Sequence, residues 1–260
     1  GYHRMWLRQQ IVLGLRAEYT KNINPLATLF RYNSQTGVYE SKPMNVKGGD
    51  QWTVNFDYDQ GLGVDYRLMN KISLTNSTAY GYLTLVDAAS NAVPELNKQK
   101  RFGLNENFVL AYEVEKVRLA LSDQLAWSRY RYNNGSYNSN PLFNVVGIDA
   151  TLSLAPFEFN VEVNDEFRSG YQTQAMNGHR LISSAYVSFR FLKNKARLML
   201  RADDIFNKDI WYNNDYTAFQ RSESASDYIH HYLNLTFSYK FDAKASKGKA
   251  QYRRGANVQM

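Results

Sequence analysis

The chain has 260 residues, a formal charge of +7 and no cysteine, which excludes a disulfide framework, a thiolate metal site and a Cys nucleophile. Mean hydropathy is −0.53, and no apolar run approaches the ~18 residues of a transmembrane helix. A membrane barrel stays open, because its alternating strands average out polar.

Aromatic residues make up 15% of the chain, with Tyr 20, Phe 14 and Trp 4. Gly1-Tyr2-His3-Arg4 has no apolar segment of the kind a signal peptide carries. An exported protein needs one, so either it has been removed or the chain is the later part of a longer precursor.

The main signal is period-two alternation. It starts at Ile11, Leu13, Leu15, Ala17 and Tyr19, with Arg16 and Glu18 between them. Trp52, Val54, Phe56 and Tyr58 then alternate with Thr53, Asn55, Asp57 and Asp59, and Leu62 to Leu74 continues in the same way. Phe102, Leu104, Phe108, Leu110 and Tyr112 share a face, followed by Val117, Leu119 and Leu121. Val146 to Leu154 and Phe157 to Val163 follow, the latter against Glu158, Asn160, Glu162 and Asn164. Leu181 to Phe191, Ala196 to Ala202 and Leu233 to Phe241 complete the series.

These are about ten segments of mostly ~8–13 residues, longer than the ~5–6 of globular strands and close to the ~9–11 that cross a bilayer at a tilt. Tight connections fall near Gln60–Gly63, Glu113–Lys116, Ala155–Pro156 and Leu192–Lys195. Long ones span Lys21–Asp50, Asn76–Arg101, Asn133–Pro141, Ser169–Arg180 and Asn207–Tyr228. Tight turns at one end and long loops at the other fit an outer-membrane barrel. The expected fold is therefore all-β, antiparallel, made of transmembrane outer-membrane barrel strands. An open sheet in lipid leaves backbone groups unsatisfied at several kcal/mol each, so the strands must close or be completed by others.

Near the end, Phe189-Arg190-Phe191-Leu192-Lys193 leads to Asp203-Asp204-Ile205-Phe206-Asn207, and a long loop returns through Tyr232 to Phe241. This resembles the C-terminus of Bacteroidetes-type TonB-dependent outer-membrane receptors, in which Asp-Ile-Phe-Asn precedes the final hairpin loop. Arg31 to Gly37 and Met44-Asn45-Val46 also look like that family's barrel. Such receptors have ~22 strands and a plugged lumen, so the resemblance implies part of a larger barrel over 1–241. The basic stretch 242–260, with Lys244, Lys247, Lys249, Arg253 and Arg254 and no acid from 244 to 254, is expected from its charge to be a disordered periplasmic tail, and it departs from a barrel that ends on its last strand. It further implies the outer membrane of a Gram-negative bacterium and import of a ligand such as a glycan, siderophore or peptide. The implied partners are outer-membrane lipid, the remaining strands and plug of the same precursor, the TonB complex acting through the plug, and a surface lipoprotein.

No residue pattern points to an enzyme, a cofactor, a metal site or nucleic-acid binding. Asp203 and Asp204 are adjacent on a strand and point to opposite faces, so they do not share one ion. Asp204 is expected to take loop amides at a strand end. His230 and His231 meet the same objection. Trp211, Tyr212, Tyr216 and Phe219 are the loop candidates for ligand contact, against the reading that they pack the loop. Asp57, Asp59, Glu158 and Glu162 are the lumen-facing candidates, able to meet a plug or a cationic solute, or simply to be solvated. Two other readings are a self-contained small barrel acting as pore or adhesin, with Ile11–Tyr19 pairing against Leu233–Phe241, and a soluble β-sandwich binding module with apolar faces buried on each other.

Overall fold

The computed structural model describes residues 2–6, 11–83, 85–86, 95–133, 138–218, 220–227 and 229–241. Phe219 and the basic tail 242–260 lie outside the described residues. The strands are β1 (Tyr2–Trp6), β2 (Ile11–Lys21), β3 (Leu26–Asn33), β4 (Val38–Asn45), β5 (Asp50–Leu62) and β6 (Tyr66–Tyr82). They continue as β7 (Leu85–Val86), β8 (Leu96–Val114), β9 (Val117–Tyr132), β10 (Leu142–Leu154), β11 (Phe157–Ser169) and β12 (Gly178–Phe191). The last are β13 (Ala196–Asp203), β14 (Trp211–Tyr216), β15 (Arg221–Ser226) and β16 (Tyr232–Tyr239).

One 11-stranded sheet runs β1-β2-β5-β6-β8-β9-β10-β11-β12-β13-β16, and every pairing in it is antiparallel. A 3-stranded sheet β4-β3-β7 and a hairpin β14-β15 sit in the connections. Each tight turn joins neighbouring strands of the large sheet. The two longer ones use positive φ, at Gly63 and at Leu192, Lys193 and Asn194.

Register confirms the alternation as a division into two faces. Asp149 opposes Glu162, which opposes Ser184 on β12, while the flanking Ile148–Val163 and Ala150–Val161 pairs point the other way. The apolar face is uncovered: Ile148 is 57% exposed, Val161 49% and Leu235 68%. Aromatic rings cluster on it at the tight-turn end, where Tyr66 meets Tyr112 at 4.7 Å and Phe157 meets Phe189 at 5.0 Å. At the other end Phe102 meets Trp127 at 5.8 Å. Polar residues interrupt this face in places, and two pairs of them satisfy one another: Asn70 donates to Glu106 at 3.1 Å and Asn144 to Asp123 at 2.5 Å.

Three expectations need correction. The connection expected over Asn76–Arg101 is mostly strand. β6 runs on to Tyr82 and β8 starts at Leu96, with Asn76 opposite Phe102 and Tyr82 opposite Leu96. Both faces turn polar there, so periodicity fades, yet backbone pairing continues because it needs no apolar side chain. The long segments Lys21–Asp50 and Asn207–Tyr228 hold strand pairs of their own, β3–β4 and β14–β15. Lastly, Ile11–Tyr19 does not pair with Leu233–Phe241. β2 lies between β1 and β5, and β16 pairs with β13 alone among the described residues. Among the described residues no second sheet packs on the apolar face, and no sandwich arrangement is formed.

Candidate functional site

The four expected lumen carboxylates share the polar face, but not one site. Asp57 is exposed, between Gly14 on β2 and Lys71 on β6. Asp59 takes two hydrogen bonds from the Arg67 guanidinium, at 2.9 and 2.5 Å. Glu158 is a hub for three donors, Tyr186 Oη at 3.0 Å, Arg190 at 2.7 Å and Arg197 at 3.0 Å. Glu162 accepts from Asn164 at 2.9 Å. With Ser184, Arg201, Asp203 and Tyr232 it lines a cleft of about 260 Å³. No group of three or more His, Cys, Asp or Glu among the described residues is arranged to hold a metal ion.

Asp204, Ile205, Phe206 and Asn207 form the turn that starts the β14–β15 hairpin. Asp204 and Asn207 adopt positive φ, +42° and +54°, a conformation Asp and Asn tolerate better than most residues. The Asp204 carboxylate accepts from the amides of Lys208 at 3.1 Å and Asp209 at 3.0 Å, as expected of a strand-end Asp. It also lies 2.9 Å from His230 Nε2. His231 Nδ1 sits 2.7 Å from the Asp204 carbonyl, and because a carbonyl only accepts, that nitrogen carries the proton. Both legs of the hairpin are thus tied to one residue. Ile205 and Phe206 are 42% and 50% exposed, and Ile205 N–H continues the ladder to the Ser183 carbonyl.

The hairpin does not stand out from the sheet. It folds back onto the polar face at the long-connection end. Asn97 on β8 donates to the Ala218 carbonyl at 2.7 Å, and Gln99 donates to the Tyr216 carbonyl at 3.1 Å. The Tyr216 ring stacks on Tyr130 of β9 at 4.6 Å. Its hydroxyl donates to Glu223 at 2.5 Å, and Glu223 also accepts from Arg221 and from the Thr173 amide. At the other end of the hairpin, Tyr212 lies between two guanidinium groups, Arg168 at 4.2 Å and Arg180 at 4.3 Å from its ring centre. Both arginines pair with Glu166, which is buried.

Deep burial is concentrated around these contacts. Asn97, Gln99, Tyr130, Tyr132, Glu166, Tyr171, Met176 and Ala218 are all buried here. Burial raises the Tyr216 hydroxyl well above the ordinary tyrosine value, as does its bond to Glu223. Burial pushes Glu223 up, but the bonds from Tyr216, Thr173 and Arg221 outweigh it and hold the carboxyl below its ordinary 4.5.

Of the loop aromatics expected to meet a ligand, Tyr212 and Tyr216 pack against the wall. Trp211 is 54% exposed and keeps its ring accessible. Sequence reasoning missed Asn97, Gln99, Tyr130, Glu166, Arg168, Arg180, Arg221 and Glu223. The one local signal was the opposite charges Arg221 and Glu223 two apart on one strand face, but their distant partners left no trace in the sequence. No protein-family model, curated protein or solved structure matches the chain.

Proposed function

We propose that the chain is the C-terminal part of the barrel of a Bacteroidetes-type TonB-dependent outer-membrane receptor that imports a ligand such as a glycan, siderophore or peptide. The observation that carries this reading is one continuous antiparallel sheet whose apolar face is uncovered from β2 to β16. Leaving such side chains in water forfeits about 1.5–3 kcal/mol for each large one, and lipid removes that cost.

Dimensions support it. Phe102 and Tyr112 lie ten residues apart on β8, as do Phe157 and Phe167 on β11. At ~3.3 Å per residue that is about 33 Å of strand, or about 23 Å of height at a ~45° tilt, close to the ~25 Å apolar band between aromatic girdles. The polar face then lines the lumen, the tight turns are periplasmic and the β14–β15 hairpin lies inside the extracellular mouth. β1 and β16 are edges whose free backbone groups need further strands of the same precursor. The Asp204–Asn207 turn supports the family. It matches the receptor ending in sequence, and it starts the hairpin that precedes the last strand.

In this reading the strands are wall, the plug supplies the moving part under TonB, and no residue performs covalent chemistry. The reading frame upstream of the Tyr2 codon tests it. A plug domain and further alternating strands are expected. A signal peptide directly before Tyr2 would instead leave a small pore or adhesin, and the import reading would be lost.

A further inference from the structure

We infer that the β14–β15 hairpin is a releasable strap across the lumen side of β8–β12, rooted at Asp204 and held by polar and cation–π contacts, whose detachment widens the mouth of the barrel. The inference rests on the assignment of the polar face to a lumen, as proposed above.

Every wall residue that holds the hairpin is on that face. Asn97 and Gln99 on β8, Tyr130 on β9, and Glu166 and Arg168 on β11 point the same way as Asp149 and Glu162, by the register of successive strands. The strap therefore crosses from its root beside β13 to a tip beside β8, over the inner surface of the strands between. Its root and its blade are built differently. The root has one residue, Asp204, bonded to both legs through Lys208, Asp209, His230 and His231. The blade has two separate clamps. The base clamp is the Arg168–Tyr212–Arg180 stack over Glu166. The tip clamp is the pair of carbonyl bonds from Asn97 and Gln99 with the Tyr130–Tyr216 stack.

The blade sequence explains why it can leave. WYNNDY and RSESAS contain no Leu, Ile, Val, Met or Phe. Contacts of this kind exchange for water at small net loss, unlike an interdigitated aliphatic core. Glu223 on β15 helps keep the two blade strands together while they move, because it accepts from Tyr216 across on β14, and Arg221 of its own strand completes the pair. Such an element has a defined second position: a hairpin intact in itself, pivoting on a fixed turn.

The test uses the full-length receptor in intact cells and a membrane-impermeant maleimide as probe. The reporter is Val145→Cys on the lumen face, next along β10 from Phe143, the ring under Arg168. Its neighbour Val146→Cys, on the apolar face, is the control. Label at position 145 is quantified by mass spectrometry. Tyr212→Ala and Arg168→Ala, which open the base clamp, should each raise the labelling rate about tenfold. A disulfide between Asn97→Cys and Ala218→Cys should lower it below that of the unstapled protein, and dithiothreitol should restore it. Unchanged labelling on stapling, with 145 reactive and 146 protected, would mean the hairpin is fixed wall, and the strap is overturned while the barrel stands. Equal labelling at 145 and 146 would overturn the lumen assignment itself.

Discussion

Two carboxylates on the polar side of the sheet, one within it and one docked onto it, are satisfied in opposite ways. Glu158, near the tight turns, takes all three donors from β12 and β13, the next strands over. Once β11, β12 and β13 pair in register, Tyr186, Arg190 and Arg197 have nowhere else to be. Glu223, at the other end, belongs to a hairpin outside the large sheet. It reaches the wall through the Thr173 amide, 50 residues away in sequence, and its own strand pair supplies the rest. Sheet pairing alone builds the first hub, whereas the second exists only if the hairpin docks.

The sharpest way to break the comparison is Glu223→Ala. It strands Arg221, whose side chain is only 5% exposed, and the Tyr216 hydroxyl. Removing one partner of a buried pair costs about 3–5 kcal/mol. The loss should appear as faster hydrogen exchange over residues 211–226, with β10 and β11 unchanged. Uniform acceleration through the sheet would show that the two ends fold as one unit.

Next in size is Val161→Arg on the apolar face. A cation in the middle of a lipid-facing band costs about 2–4 kcal/mol, measured as a shift of the urea midpoint for refolding into liposomes. Thr151→Arg on the polar face should shift it far less. Equal shifts would deny that the two faces meet different solvents.

Asp204→Ala leaves the amides of Lys208 and Asp209 and the His230 ring without their carboxylate, at about 1–3 kcal/mol, while His231 keeps the backbone carbonyl it bonds to. Exchange at those amides should rise before that of β14 and β15.

Glu158→Gln is the smallest. Arg190 is 48% exposed and Arg197 36%, so solvent already screens the pairs. A loss under about 1 kcal/mol is expected, checked by the same refolding titration.

Acid should separate the two ends without mutation. The folded value of Glu223 lies below its ordinary 4.5, so its contribution is complete above that value and fades as pH falls through the lower one. The emission of Trp211 should change in that acid window, provided Glu223→Gln abolishes the change. Tyr216, raised in the fold from 10.0, has the opposite sign, and its contribution fades as pH rises above the ordinary tyrosine range.

What could be read in advance follows from these distances along the chain. Asp57, Asp59, Glu158 and Glu162 could be placed on one face from spacing alone, because a strand repeats every two residues whatever surrounds it. Asp204 could be assigned its loop amides, since its acceptors' partners lie four and five residues on. Tyr216 could not be told from a ligand-stacking tyrosine, because its ring partner Tyr130 and its carbonyl's partner Gln99 belong to strands far back in the sequence.

The sequence by itself determined ten strands of the large sheet, their two faces and the tight turns, since alternation and turn chemistry are local. Only the tertiary structure decided where β6 and β8 end, because ladder hydrogen bonds continue past the last apolar residue. It also decided that the long segment after Asn207 folds inward. That choice depends on Arg168, Arg180 and Glu166 coming from β11 and β12 to one spot, and no local rule in the chain encodes such a meeting.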